Sequence, residues 1–269
     1  SAEKNTPIDF ATLSPDGRYF PVDDYRKCMH TVLVNEGERL LHYGDPQGYL
    51  PLRRFIAHRL RLHAIHVTED EIIVTGGAQG AIDLVLRTFT RPGDSAVFEM
   101  PTYSRILGQS LLYGIHRLSV PMDDRGIALD KLEGMLSGNA ESGSAPAFLY
   151  TIPNFHNPTG LTADQAKREE VLRLCEDYKV PIVEDGFEEE MKYFGKAVLP
   201  IKSMDRRGIV LYIGTFSKVL FPGIRVGWIA AEKEAVRRLR AVQKVSNLCG
   251  SMVDQAAVGL FCMKGMYDA

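Results

Sequence analysis

The sequence lacks any long apolar run. No stretch approaches the roughly 20 apolar residues that a bilayer-spanning helix needs, and residues 1–4 (Ser-Ala-Glu-Lys) do not lead into an apolar secretion signal. Paired cysteines are missing too, since Cys28, Cys175, Cys249 and Cys262 lie far apart with no Cys-x-x-Cys spacing. Because scattered cysteines suit reduced thiols, we expect a cytoplasmic protein without membrane contact.

A charge imbalance is also missing. The net charge of the 269 residues is −2, whereas a nucleic-acid surface needs a basic balance or a basic stripe. The close pair His63 and His66 has no cysteine or carboxylate cluster beside it, so we predict no metal site. Hydrophobic residues at 45% and charged residues at 25% are typical of a soluble globular protein.

Short apolar runs alternate with helical patterns along most of the chain. We predict strands at Ile72–Thr75, Ala96–Phe98, Ala147–Thr151, Pro181–Glu184, Val210–Gly214 and Arg225–Ala230. We predict helices at Asp23–Val34, Pro51–His66, Asp164–Tyr178 and Glu232–Ser246. This alternation predicts an α/β fold with a mostly parallel central sheet and helices on both faces. We expect residues 1–45 to form an N-terminal arm and residues 46–269 to form one large domain.

The candidate chemistry falls just after the predicted strands. Polar segments at Gly76–Gly80, Asn154–Gly160, Asp185 and Thr215–Lys218 each follow one of them. In parallel α/β sheets, ligands bind at the carboxyl ends of the strands. We therefore predict that these four segments form one site.

The most specific signal is the segment 214–218 (Gly-Thr-Phe-Ser-Lys), which is followed by Arg225. The hydroxyls of Thr215 and Ser217 can donate hydrogen bonds to an anion, and an arginine offers a two-pronged fork for phosphate. The amine of Lys218 can form an imine with a carbonyl cofactor held there. A strand-end lysine by itself is more often a solvated surface residue, so the neighbouring groups carry this prediction.

Two other segments suit the same kind of ligand. The acidic pair Glu184 and Asp185 closes an apolar strand, and a carboxylate beside a pyridine nitrogen keeps that nitrogen protonated. The strand-to-helix turn Gly76–Gly80 offers backbone N–H groups to a phosphate. It lacks the Gly-Lys-Ser/Thr of a nucleotide triphosphate loop. Each of these segments alone is common in proteins without such a site.

These segments, with Asn-Pro-Thr-Gly at 157–160 and Tyr-Gly-Asp-Pro-Gln-Gly-Tyr at 43–49, resemble the fold-type I pyridoxal-phosphate (PLP) aminotransferases of class I and II. The resemblance covers about residues 8–268 and is nearest to 2-aminoadipate and aromatic aminotransferases and to MocR-type effector domains. It implies pyridoxal 5'-phosphate as the cofactor and Lys218 as the lysine that forms a Schiff base with it.

The resemblance also implies roles for other residues. Asp185, and not Glu184, is expected beside the ring nitrogen, Asn157 at the ring oxygen and Tyr103 against the ring face. The phosphate and its surroundings are assigned to Gly77, Ala78, Gln79, Thr215, Ser217 and Arg225. Tyr43 is expected to reach the cofactor of a partner subunit, which implies a homodimer.

The sequence departs from the family pattern in two places. Phe187 and Glu188 stand where the family has a tyrosine at the ring oxygen, so either Asn157 serves that oxygen alone or the electronics are altered. The chain ends at Ala269, where family members continue into a small C-terminal domain, so we expect that domain to be absent here. That domain carries the arginine that binds the substrate's α-carboxylate.

Three functions remain open from the sequence. The favoured one is an aminotransferase that moves an amino group from an L-amino acid to a 2-oxo acid. The second is a PLP-binding effector domain of a MocR-type transcription regulator. The third is a PLP-dependent lyase or decarboxylase on the same fold. No residue identifies the amino donor.

Overall fold

The computed structural model describes residues 15–137, 145–187 and 198–267. Within them the strands are β1 (Ile72–Thr75), β2 (Ser95–Met100), β3 (His116–Asp123), β4 (Gly126–Ile127), β5 (Leu149–Thr151), β6 (Ile182–Asp185), β7 (Val210–Thr215) and β8 (Gly227–Ala230). The helices there are α1 (Val22–Leu40), α2 (Leu50–Leu60), α3 (Gly77–Phe89), α4 (Ser104–Leu112), α5 (Leu129–Leu136), α6 (Gln165–Asp177), α7 (Ile201–Met204), α8 (Lys233–Asn247) and α9 (Met252–Met263).

The strands form one mixed sheet in the order β1-β8-β7-β6-β5-β2-β3-β4. The pairs from β7 through β6, β5 and β2 to β3 are parallel, whereas β8 is antiparallel to both β1 and β7, and β4 is antiparallel to β3. All strands except β4 and β8 therefore end at the same edge of the sheet. The predicted mostly parallel α/β fold is confirmed.

The sheet is covered on both faces, which explains why its strands are continuous apolar runs. In β1, Ile72 and Val74 pack into one hydrophobic cluster with α1, α2 and α9, while Ile73 packs into another with α3 and α8. This alternation follows from the two-residue period of a strand. Cys28 and Val32 of α1 are buried in the first cluster, so α1 packs against the rest of the molecule.

At two places, a predicted element bound differs from the observed one because the backbone turns left-handed. The predicted helix Pro51–His66 ends at Leu60, because a 3₁₀ turn follows and Ala64 has a φ of 57°. Strand β8 begins at Gly227 and not at Arg225, because Arg225 has a φ of 50° after the 3₁₀ turn Pro222–Ile224. In the described ranges, no helix has both the length and the hydrophobicity of a membrane span.

Candidate functional site

The loops at the shared strand edge enclose a cavity of about 670 Å³. Its wall contains most of the residues singled out in the sequence: Ala78, Gln79, Tyr103, Asn157, Asp185, Thr215, Ser217, Lys218 and Arg225. Arg105 and Phe187 also line it, whereas Glu188 lies outside the described residues. The structure thus brings together segments that are far apart in the sequence, because they all follow strands that end at one edge.

One corner of the cavity is built for an anion. Helix α3 begins at Gly77, whose φ is 76°, and a Cβ there would lie 2.6 Å from Nη2 of Arg225, so only glycine fits. The Arg225 guanidinium donates from Nη2 to the Gly76 carbonyl at 3.0 Å and from Nη1 to the Pro222 carbonyl at 3.1 Å. The first N–H groups of a helix have no intrahelical acceptor, so this corner carries positive potential.

Close backbone packing fixes that corner. Gly227 of β8 pairs with Thr75 of β1 on one side and with Thr215 of β7 on the other. A Cβ on Gly227 would lie 2.7 Å from the carbonyl carbon of Gly77. The start of α3 can therefore rest on β8 only because residue 227 has no side chain.

Next to this corner, the cavity wall contains the hydroxyl groups of Thr215 and Ser217 and the side chain of Lys218. Thr215 donates its hydroxyl to Oγ of Ser217 at 3.0 Å, and the Ser217 N–H donates to Oγ1 of Thr215 at 3.2 Å. Nη1 of Arg225 lies 3.5 Å from the Ser217 hydroxyl. Lys218 is partly exposed and follows directly, with its side chain in the cavity wall. An amine, two hydroxyls and a guanidinium thus lie within one short segment.

The acidic pair is divided between two environments. Asp185 lines the cavity, although the residue is only 3% exposed. Glu184 points away from the cavity and accepts the N–H groups of Ile201 and Lys202, both at 2.8 Å, at the start of α7. Successive residues of a strand face opposite sides, which explains why only one of the two carboxylates reaches the cavity wall.

Tyr150 supports Asp185 from behind the wall. Its hydroxyl donates to Oδ2 of Asp185 at 2.6 Å, and the residue is fully buried. Burial and the nearby Asp185 carboxylate hold the pKa of Tyr150 well above its usual value, so the phenol stays protonated. No local motif in the sequence marks Tyr150, because the contact depends on β5 lying next to β6.

Two aromatic residues, Tyr103 and Phe187, form part of the same cavity wall. Tyr103 follows β2, and its hydroxyl donates to Oε1 of Gln79 at 3.3 Å. Burial raises the pKa of Tyr103, with nearby Arg105 opposing and Asp185 reinforcing that shift. Phe187 packs against the same hydrophobic cluster as Tyr103. Neither ring carries a charge at neutral pH, so this part of the wall suits a flat, apolar ligand face.

Asn157 lies in the wall on a turn that is held by the buried carboxylate of Glu99. Glu99 of β2 accepts the Thr151 hydroxyl at 2.6 Å and the Ile152 N–H at 2.9 Å. Oε2 of Glu99 also lies 3.1 Å from Nε2 of the buried His156 ring. His156 directly precedes Asn157, so Glu99 fixes the start of the turn.

A buried arginine holds the same loop from the other side. Arg168 is 1% exposed and donates to the carbonyls of Pro153 and Ala163, both at 3.0 Å, and of Leu199 at 3.1 Å. It also donates to Oδ1 of Asn154. Two backbone oxygens of the loop, those of Pro153 and Ala163, are therefore satisfied without regular secondary structure.

Tyr43 is not brought into the cavity. It lies between α1 and α2, is 84% exposed and is not among the residues of the wall. Gly77 is also not a wall residue, although its neighbour Ala78 is. Arg105 is a wall residue that sequence reasoning missed, because its position two residues after Tyr103 carries no motif.

Comparison with known proteins identifies the family. Residues 11–262 match the family described as aminotransferase class I and II, so the chain belongs to that family. Aromatic-amino-acid aminotransferase 1 of Thermococcus litoralis is 36% identical over 99% of this chain and 64% of that protein. An uncharacterized HTH-type transcriptional regulator of Bacillus subtilis, YcxD, is 31% identical over 97% of this chain and 58% of that protein.

A solved structure agrees with this assignment. The α-aminoadipate aminotransferase LysN of Thermus thermophilus, complexed with N-(5'-phosphopyridoxyl)-L-leucine, aligns with a TM-score of 0.88 at 33% identity. The alignment covers 96% of this chain and 65% of that one. The chain spans less than two thirds of the length of each of these relatives.

Proposed function

We propose that this chain binds pyridoxal 5'-phosphate and transfers an amino group from an L-amino acid to a 2-oxo acid. The observation that carries the proposal is one cavity whose wall holds an amine, a buried carboxylate and an anion-binding corner, from Lys218, Asp185 and Arg225. When bound, the cofactor supplies an electrophilic carbon for the amino group and a ring that accepts electrons as the substrate loses a proton.

The residues present fit that cofactor. The guanidinium of Arg225, the hydroxyls of Thr215 and Ser217 and the start of α3 suit its phosphate. The carboxylate of Asp185 suits a protonated ring nitrogen, because an opposite charge at contact distance favours the protonated form. Every wall residue lies within residues 46–269, which we propose as the cofactor-binding domain, with residues 1–45 as its arm.

In this proposal, three polar side chains of the wall have separate roles. Lys218 would attach the cofactor through its amine and, once the substrate's amino group displaces it, would take the proton from the substrate's α-carbon. Asn157 would donate to the ring oxygen, and Tyr103 would cover the ring face. Phe187 has no hydroxyl to share the task of Asn157.

Arg105 is proposed to face an anionic group of the substrate. It pairs with no carboxylate in the part of the chain that the structure describes, and its side chain interacts with the Tyr103 hydroxyl in the wall. It stands near the start of α4, where the helix dipole disfavours a cation by a few tenths of a kcal/mol. A ligand carboxylate would offset that cost.

We also propose a cytoplasmic homodimer in which Tyr43 reaches the partner's site. Exposed apolar side chains on α1 and the turn after it support a covered surface there, with Val34 69%, Leu41 76% and Tyr43 84% exposed. The four cysteines form no disulfide, which suits a reducing compartment. A regulator's effector domain is the weaker alternative, because the matched regulator is less similar than the matched aminotransferase.

Borohydride reduction of the PLP-loaded protein, followed by peptide mapping, tests the proposal. We expect the pyridoxyl label on Lys218, and we expect Lys218→Ala to lose the label and all amino transfer. Lys233→Ala is the matched control, since Lys233 lies outside the cavity wall and is 62% exposed. A label on another lysine would contradict the assignment. Product analysis with amino acids, with and without 2-oxo acids, separates transfer from lyase or decarboxylase chemistry.

A further inference from the structure

Tyr150 lies behind the cavity wall and donates a hydrogen bond to Asp185, which is part of the wall. We propose that Tyr150 is a positioning residue, which holds the Asp185 carboxylate in one orientation and in its ionised form. This inference rests on the proposed function, in which that carboxylate faces the cofactor's ring nitrogen. Tyr150 is not itself part of the cavity wall, so any effect on a bound ligand must pass through Asp185.

The strand register makes the contact possible. Tyr150 of β5 is paired with Val183 of β6, and Asp185 lies two residues further along β6 on the same face. Two residues of a strand span about 6.6 Å, a distance that a tyrosine covers and a short side chain does not. The observed contact between the hydroxyl and Oδ2 is 2.6 Å, which is typical of a charge-assisted O–H···O⁻ bond.

The surroundings keep the tyrosine in place and protonated. Its ring packs against Phe98, with centroids 6.3 Å apart, inside the hydrophobic cluster on this face of the sheet. Tyr150 is 0% and Asp185 3% exposed, so water does not compete for the bond. Because burial and the carboxylate raise the pKa of Tyr150, the hydroxyl is a permanent donor in the working pH range.

A hydroxyl that stays protonated affects the ionisation of the carboxyl group to which it donates. Hydrogen bonding to an ionised carboxylate favours the ionised form, and burial alone would favour the neutral form. Without the hydroxyl, Asp185 would bind a proton more readily and would lose one orienting contact. The ring nitrogen of the cofactor would then face a weaker partner, and cofactor affinity would fall.

Tyr150→Phe tests this inference, because it removes the hydroxyl and keeps the ring. We expect the affinity for PLP, titrated onto cofactor-free protein, to fall on the order of 10- to 100-fold. The midpoint of the pH titration of the bound cofactor's absorbance should shift as well. The control is Tyr113→Phe, which removes a hydroxyl that also donates to an aspartate, Oδ1 of Asp83, at 2.6 Å but outside the cavity wall. It should change neither quantity.

Two further measurements separate a positioning role from general damage and from failure of the proposed function. In an Asp185→Asn background, Tyr150→Phe should cause little further loss of PLP affinity, because both act through one carboxylate. Carboxyl NMR of cofactor-free protein should show a higher pKa for Asp185 in Tyr150→Phe, whatever the protein binds. An unchanged Asp185 pKa would overturn the inference, and a wild type that takes up no PLP would overturn only the proposed function.

Discussion

The buried Glu99 gives the sharpest test of how the cavity wall is held. Its carboxylate contacts the Thr151 hydroxyl, the Ile152 N–H and the His156 ring at 2.6, 2.9 and 3.1 Å. The side chains of Glu99 and His156 are 2% and 1% exposed, so water cannot replace a lost contact. Substitution by glutamine keeps the shape and one acceptor oxygen but removes the charge.

The expected cost follows from these contacts. Leaving a buried hydrogen-bond donor or acceptor without its partner costs about 1–3 kcal/mol, and more where a charged group is involved. The glutamine amide can still accept one hydrogen bond, while its NH₂ must replace an acceptor at Ile152 or Thr151. We therefore expect Glu99→Gln to lower the free energy of unfolding by about 3 kcal/mol, at the upper end of that range. Because the turn carries Asn157, PLP affinity should fall as well.

Urea denaturation of the cofactor-free protein measures this change. Glu133→Gln is the control, since Glu133 is exposed and its side chain accepts only a 3.3 Å bond from Tyr178 among its described contacts. An exposed substitution of this kind should stay within about 0.5 kcal/mol of wild type. If Glu99→Gln also stays within that limit, the contacts of Glu99 do not hold the turn and the reasoning is refuted.

Two other predictions concern substrate binding and pH. Arg105→Gln should lower kcat/KM for amino acids about 10- to 100-fold, mainly through KM, because a charge-assisted contact to the substrate is lost. A larger loss for acidic than for neutral amino acids would assign Arg105 to a side-chain carboxylate, an equal loss to the α-carboxylate, and no loss would contradict the assignment. Asp205 has a fully buried side chain, 2.9 Å from Nζ of Lys202. Burial alone would raise the pKa of Asp205, but Lys202 and the N–H groups of Ile209 and Val210 bring it below its usual value. A lowered carboxyl pKa stabilises the fold fully above the unfolded pKa of about 3.9, and this contribution is lost as pH falls through the folded pKa. Asp205→Asn should thus be less stable than wild type at pH 7, and urea denaturation should show the difference shrinking below about pH 4; a constant difference across that range would contradict the ion-pair account.

How far the sequence predicts the fold depends on whether a feature is local. Strand β1 was predicted to the residue, because a strand that is buried on both faces is a continuous apolar run with glycine at its end. The antiparallel direction of β8 was not predicted, since an apolar run has no direction of its own. Strand β3 (His116–Asp123) was missed because much of it is exposed and it contains Pro121, which weakens the strand pattern.

The residues of the site also fall into two groups, those with a local sequence signal and those without one. The glycines, hydroxyls and lysine that follow strands are local signals, so the sequence indicates the cavity wall. Tyr150 and Glu99 act across neighbouring strands, Tyr150 from β5 to β6 and Glu99 from β2 to β5. Their partners are fixed by the order of strands in the sheet, which no local pattern contains. Arg105 differs again, because its place in the wall depends on how α4 leaves β2.

Three buried polar side chains lie behind the cavity wall, and the free-energy cost of burying them bears on why they are polar. Tyr150, Glu99 and Arg168 are between 0% and 4% exposed, and burying such groups is unfavourable unless each finds a partner. Each is partnered by Asp185 or by the loop that carries Asn157. Replacing both partners of a buried hydrogen bond by apolar groups of the same shape can be nearly neutral or stabilising. The stability of the sheet therefore does not explain why these groups are polar, whereas the need to fix a carboxylate and an amide at the cavity wall does.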